Sequence, residues 1–253
     1  GLSSAGVHFV DSSLEPSLSS AGYRPWRHHG YLWENPGYGD FDDFLARLRT
    51  GPRRNIRRER RRMAASGLRL AVYRGDEIPP AFIPAMYTLY THTNAQFGPW
   101  GCHFLNRAFF DGIYRTCRRQ LLFIAAHETR NADDSPLALA MLITKGKTLI
   151  GRYWGTQRFH RDLHFNLCYY APMAWAIENG ITRFDPGAGS SHKIRRGFRA
   201  VAHNSWHRHL QPKLALVFNH HLDEINQAEQ AHIDHLNEGL PFHRNGASPS
   251  SLV

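Results

Sequence analysis

The chain has 253 residues, 42% hydrophobic and 12% aromatic, which is enough apolar material for one large domain or two small ones. Lys and Arg outnumber Asp and Glu by 31 to 21, and the formal net charge of +10 favours anionic partners: nucleic acid, phosphorylated metabolites or acidic membrane surfaces. Three widely spaced cysteines, Cys102, Cys117 and Cys168, suit neither a disulfide framework nor a thiolate metal site, and no segment approaches the roughly 18 apolar residues of a membrane span, so a soluble protein of the reducing cytoplasm with no bound metal is expected.

The opening GLSSAGVHFV has no basic stretch followed by an apolar run, so no secretory leader is expected. Residues 1–35 read as a Ser-, Gly- and Pro-rich N-terminal segment with short apolar pieces at Val7–Val10 and Tyr31–Trp33. A helix is predicted from Asp40, with Asp42 and Asp43 in its first turn and Phe41, Phe44, Leu45 and Leu48 as its apolar face. Gly51-Pro52 is expected to break it, and a second helix to run from Arg53 to Ser66 and stop at Gly67. Leu68–Tyr73 alternates as a strand does. Ala81–Ala95 and Phe104–Arg118 read as helices joined by the turn-rich QFGPWG. Strands are expected at Leu121–His127, Leu137–Thr144 and Thr148–Trp154, the last two as a hairpin across Lys145-Gly146-Lys147. Leu163–Asn179 reads as a helix kinked by Pro172 and closed by Gly180. Ile181–Asp185 and Val201–Leu210 read as strands. Pro212–Glu238 reads as a long amphipathic helix with Leu214, Val217, Phe218, Leu222 and Ile225 on its apolar face, and residues 244–253 as a disordered tail. This order predicts a mixed α+β protein, an α/β chain without regular βαβ alternation.

Two segments concentrate chemistry. Seven arginines and one glutamate stand between Arg53 and Arg62. On a helix Arg54, Arg58, Arg61 and Arg62 share a face, while Ile56 and Met63 mark the buried side. Such crowding asks for anions, and guanidinium groups grip phosphate through paired donors; the plainer alternative is a solvated face relieved by Glu59. The second segment, Gly151–Val201, brings two strand ends to polar loops, a common site location in open sheets. Its loop offers Ser190, Ser191, His192, Lys193, Arg195 and Arg196 among glycines, either to hold an anion or developing oxyanion or as a basic surface turn.

The residues of this second segment, with those near Phe41 and Arg54, resemble the FemAB-like family of peptidoglycan biosynthesis or recognition proteins, within the GNAT acyltransferase superfamily. The resemblance rests on Phe41-Asp42-Asp43-Phe44-Leu45, Arg54-Asn55-Ile56-Arg57-Arg58-Glu59-Arg60, Tyr153-Trp154-Gly155, Leu163-His164-Phe165, Cys168-Tyr169-Tyr170, Pro186-Gly187-Ala188 and His192-Lys193 with Arg196-Gly197-Phe198. It covers about residues 22–242 and implies a GNAT-like fold over 36–243, with a central, mostly antiparallel twisted sheet flanked by helices, in a shortened and divergent member. Asn166 and Ser191 stand where the family pattern carries glutamates.

By this resemblance the chain transfers an aminoacyl group from aminoacyl-tRNA to an amine, on a peptidoglycan precursor or a small-molecule or peptide natural product. Lys193 then stabilises the carbonyl oxyanion or holds a phosphate. His192, His164 and Tyr169 join it as catalytic candidates. Arg54, Arg57, Arg58 and Arg61, with Arg158, Arg196, Ser191, Asn166 and Trp154, are the candidates for holding substrate and phosphate. An acetyl-CoA enzyme carries a glycine-rich pyrophosphate loop before its central helix; here QRFHRDLH has none, so the expected donor is tRNA-borne rather than acyl-CoA, and no cofactor is expected. The alternatives are a non-catalytic RNA- or carbohydrate-binding protein on the same fold, and an acyl-CoA-dependent N-acyltransferase.

Several lesser signals have two readings. His164 is a general base or a hydrogen-bonded residue at a helix start. Tyr169 and Tyr170 form core or cleft wall. Phe97 and Trp100 stack on a ligand or plug the core. His203, His207 and His209 share a strand face, which zinc could use, but no carboxylate or thiolate pattern accompanies them.

Overall fold

The computed structural model describes residues 1–8, 10–101, 104–129, 135–187, 189 and 191–243. Cys102, Ala188, Ser190 and the 244–253 tail lie outside the described residues.

The N-terminal residues form a strand β1 (Ser4–Val7), a short helix α1 (Glu15–Ser20) and a long strand β2 (Arg24–Glu34). Helix α2 (Phe41–Ala46) starts where expected: Asp40 is extended, and its carboxylate accepts the Asp43 N–H at 2.7 Å, satisfying one of the free donors of the first turn. Helix α3 (Thr50–Ala64) begins three residues before Arg53. Pro52 sits in its first turn, where its missing N–H has no partner to lose, so Gly51-Pro52 helps open this helix; α2 ends earlier, at Ala46, and not at Gly51-Pro52 as expected. Gly67, at φ +76°, turns the chain into β3 (Leu68–Arg74). Helices α4 (Phe82–Ala95) and α5 (Arg107–Cys117) follow, and then β4 (Leu121–Glu128), β5 (Pro136–Lys145) and β6 (Thr148–Thr156). Gly146, at φ +56°, supplies the left-handed residue that the tight β5–β6 turn requires.

The kink expected at Pro172 takes a specific form. Helix α6 (Leu163–Phe165) runs into a π turn over Asn166–Tyr170 and continues as α7 (Ala171–Glu178). Pro172 cannot donate to the carbonyl one turn back, and the Ala171 N–H reaches five residues back to Asn166 instead. The chain ends with β7 (Arg183–Asp185), a 3₁₀ turn (Ser191–Arg196), β8 (Arg199–His209) and α8 (Pro212–Glu238).

These elements fall into two compact units. Residues 1–32 and 188–241 form one. In it β8 lies between β1 and β2, antiparallel to both, with Gly6 opposite His207 and His28 opposite His203. The first 32 residues are therefore strands of this unit rather than a segment apart. The face of α8 that meets the strands reads Leu222, Asn226, Glu229, Ile233, Asn237. Asn226 accepts from Arg27 N at 2.8 Å and donates to Pro25 O, Glu229 accepts from His29 N, and Asn237 bonds both backbone groups of Ala200. Side chains thus satisfy backbone groups of β2 and β8 that strand pairing leaves open. This corrects the expected apolar face: Leu222 and Ile233 are buried, whereas Leu214, Val217 and Ile225 are exposed.

Residues 33–187, with the C-terminal residues from 242, form the other unit. Its sheet is an antiparallel meander from β3 to β6, extended by β7 parallel to β6 and by the pairing of Trp33 with Phe184. Residues 121–127 of β4 are all buried, because helices cover both faces. Helices α4 and α5 pack on one side through Phe82, Met86, Leu89, Tyr90 and Phe110 against Phe123, Leu139 and Met141. Gly155 permits the approach of α4 to β6, since a Cβ there would stand 2.5 Å from the Leu89 carbonyl oxygen. The fold is mixed α+β, with mostly antiparallel strands flanked by helices.

Candidate functional site

Helix α3 presents a stripe of residues spaced by one helical turn, Arg53, Arg57, Arg60 and Ala64, with Arg54 and Arg61 beside it. This stripe, together with Asp42, Leu45 and Thr50, lines an open pocket of about 600 Å³. Asp42 is the one acid in the lining, and its oxygen stands 3.7 Å from the Arg57 guanidinium, both groups being exposed. Arg60 lies over the Phe41 ring at 4.4 Å. Five guanidinium groups against one carboxylate leave a concave surface with a strong excess of positive charge, suited to a ligand with several phosphate or carboxylate groups. Arg54, Arg57 and Arg61 are among the lining residues, as are Arg53 and Arg60, which the sequence reading passed over. Arg58 is not: it donates to Asn55 of its own helix. Arg62 pairs with Asp162 at 2.7 Å.

The opposite side of α3 is buried and polar at its centre. Glu59, 5% exposed, stands between Ile56 and Met63. Its carboxyl oxygens accept from Asn55 Nδ2 at 2.7 Å and from the Tyr170 hydroxyl. Asn166 donates to the Asp162 carbonyl at 2.9 Å and to the Glu59 carbonyl at 3.4 Å. Asp162 is, among the described residues, the one non-glycine with positive φ, at +64°. Arg62 holds its side chain, and Asn166 takes up its carbonyl through both backbone and side-chain N–H groups. A side chain makes this conformation less favourable than it is for glycine, although aspartate tolerates it better than most residues, and these contacts hold it there. Asn166 is therefore part of the lock between α3 and the π turn, with its amide directed inward.

Beyond that lock lies an aromatic group. The His164 ring is 4.7 Å from Trp154 and 5.2 Å from Tyr169, and Phe165 stacks on Tyr169 at 6.2 Å. Trp154, His164 and Phe165 are half-buried, and Tyr169 is buried. Such a group can hold a flat or apolar substrate part against partly exposed ring faces. Arg158 is exposed and paired with Glu128.

The 3₁₀ turn Ser191–Arg196 belongs to the other unit. Lys193 is 1% exposed, and its ammonium lies 5.1 Å from the centre of the Tyr31 ring, whose hydroxyl pKa burial raises. Gly189, at φ +141°, passes so close that a Cβ would stand 3.1 Å from Lys193 Nζ. Arg196 is buried too and donates to the His192 carbonyl at 3.1 Å. Burial, and then the charges of Arg196 and Lys193, hold the His192 imidazole below its ordinary pKa of 6.5. At neutral pH it is uncharged and able to accept a proton. Ser191 is exposed at the start of the turn.

His203 is apart from His207 and His209, which share the Phe218 ring. His203 packs over Gly30, His207 bonds Ser205, and His209 packs on Phe218. Among the described residues no three His, Cys, Asp or Glu are placed to hold a metal ion. Nor is any described helix long and apolar enough to cross a membrane.

The FemAB-like family model, described as peptidoglycan biosynthesis/recognition, matches residues 1–244, and the chain belongs to that family. No curated protein matches it. Among solved structures, the C-terminal domain of a putative lysylphosphatidylglycerol synthetase from Agrobacterium fabrum superposes with TM-score 0.60 at 13% identity, over 85% of this chain and 70% of that one. The structure of L-PGS from Bacillus licheniformis gives 0.55 at 8% identity, over 86% and 72%. FemX gives 0.55 at 12% identity, over 85% and 74%. At these identities the likeness is one of fold.

Proposed function

We propose that the chain is an acyltransferase of the GNAT/FemAB type that moves an aminoacyl group from aminoacyl-tRNA to an amine acceptor, a peptidoglycan precursor or a small-molecule or peptide amine. The observation that carries this reading is the arginine pocket of α3 in a member of the FemAB-like family. A tRNA backbone supplies the closely spaced phosphates that five guanidinium groups call for. In the reaction the acceptor nitrogen attacks the ester carbonyl, the ester C–O bond breaks, and the tRNA ribose hydroxyl leaves. Lys193 carries the charge needed against the developing oxyanion, and neutral His192 is suited to take the amine proton. Positioning supplies much of the rate, and no cofactor takes part. The cytoplasm, where charged tRNA is found, is the compartment this reaction requires.

The test is transfer from a panel of charged, radiolabelled tRNAs to amine acceptors. Lys193→Ala is expected to abolish transfer while circular dichroism shows a folded protein; full activity in that variant overturns the assignment. A second reading, RNA binding without transfer, draws on Asn166 and Ser191, which carry no carboxylate where the family pattern has one. Salt-dependent tRNA binding with no transfer from any charged tRNA selects it. Heat of CoA binding in calorimetry would select an acyl-CoA donor instead.

A further inference from the structure

The connection between α4 and α5 carries three large apolar side chains into water: Phe97 is 61% exposed, Trp100 88% and Phe104 85%. The two helices pack on each other, so these residues cap the end of a helical hairpin. They do not plug the core. The described chain neighbours of Trp100, Gly98, Pro99 and Gly101, bring no side-chain donor or acceptor. Phe109, in the first turn of α5, extends the patch, and its ring lies 6.4 Å from Tyr153, over which Arg152 reaches at 5.6 Å. From Phe97 to Arg119 the chain has four arginines and one acid, Asp111, which Arg107 engages at 3.0 Å.

Exposed apolar clusters of this kind are rare on soluble surfaces unless something covers them. An aromatic tip on a basic segment suits the boundary between acyl chains and anionic headgroups. We propose that this tip is a membrane-docking element: Trp100, Phe97 and Phe104 enter the headgroup region of a bilayer while the basic flank of α5 faces anionic lipid. The proposal is independent of the acyl-transfer reading, since it concerns where the protein sits rather than what it transfers.

The test uses the full chain, freed of nucleic acid, with vesicles of phosphatidylcholine alone or mixed with phosphatidylglycerol. Wild-type protein is expected to sediment with the mixed vesicles and to shift its tryptophan emission to the blue. The double variant Trp100→Ser/Phe104→Ser should lose the shift and at least about tenfold of the partitioning, because the buried apolar area is the driving term. Both side chains are exposed, so its thermal melt should match the wild type. Phe159→Ser, equally exposed but outside the tip, should partition as the wild type does. Equal partitioning of the double variant and wild type overturns the proposal. So does equal binding to both kinds of vesicle. So does loss of tRNA retention in the double variant from a wild type that ignores vesicles, which would make the tip a base-stacking platform.

Discussion

Tyr170→Phe isolates the lock behind the arginine pocket. Tyr170 is 2% exposed and Glu59 5%, and the hydroxyl donates to the Glu59 carboxyl group beside the Asn55 amide. Phenylalanine keeps the ring and its 6.2 Å contact with Phe41, so no cavity opens. What is lost is a donor to a buried oxygen that water cannot reach. Leaving such a group unsatisfied costs about 1–3 kcal/mol. With a urea m-value of about 2 kcal/mol/M, the unfolding midpoint should fall by about 0.5–1.5 M. Urea unfolding followed by tryptophan fluorescence measures this. Glu59→Gln in the same background completes a double-mutant cycle, and the two changes should be non-additive because the groups touch. A loss below about 0.5 kcal/mol, the range of an ordinary surface change, would mean that the pair does not hold α3 in place.

Acid should destabilise the unit built from β1, β2, β8 and α8. His28 Nε2 and His207 Nε2 lie 2.7 and 2.8 Å from Ser205 Oγ, and burial is the first cause that lowers both imidazole pKa values below 6.5. A native value below the unfolded one means that this contribution is complete above about pH 6.5 and is lost as pH falls through the window beneath it. Urea unfolding from pH 7.5 to pH 5 should show the decline, and His28→Gln/His207→Gln should flatten it. For Glu229, burial is outweighed by the His29 hydrogen bonds, so its carboxylate titrates below 4.5 and adds a further loss at lower pH. Replacing Arg54, Arg57 and Arg61 with Gln should reduce the slope of log affinity for tRNA against log salt by roughly 0.7–0.9 per phosphate contact removed; Arg58→Gln, off the pocket, should leave the slope nearly unchanged. Gly155→Ala forces a methyl group onto the Leu89 backbone and should lower stability by about 1–3 kcal/mol in a thermal melt.

Local signals were legible in the sequence. The helix start at Asp40, the Gly146 turn and the span of α8 depend on neighbours a few residues away, and the structure places them as read. The pairing of β1 and β2 with β8 joins residues some 200 positions apart, as in Gly6 with His207, and no local pattern announces it. The docking face of α8 was misread because Asn226, Glu229 and Asn237 do the work expected of apolar residues. The alternative of a solvated face relieved by Glu59 does not fit its spacing of three and four from Ile56 and Met63, which puts it on the buried stripe. The same spacing arithmetic, started at Arg53 instead of Arg54, puts Arg53 and Arg60 in line with Arg57 beside the pocket and sets Arg58 apart from it. Arg158 and Asn166 looked available as ligand holders because Glu128 and the Asp162 carbonyl, their partners, are invisible until the chain is folded.

The π turn ahead of Pro172 works as a change of phase. In an unbroken α-helix Tyr169 and Tyr170 would point about 100° apart and keep step with every later residue. The wider turn inserts a fraction of a rotation between Asn166 and Ala171. Tyr169 can then serve the His164 and Phe165 rings while its neighbour serves Glu59 and Phe41, and α7 still meets its own packing surface in register. Deleting one residue between 166 and 170 would leave composition and hydrophobicity almost untouched, yet it would rotate one of these two allegiances out of reach.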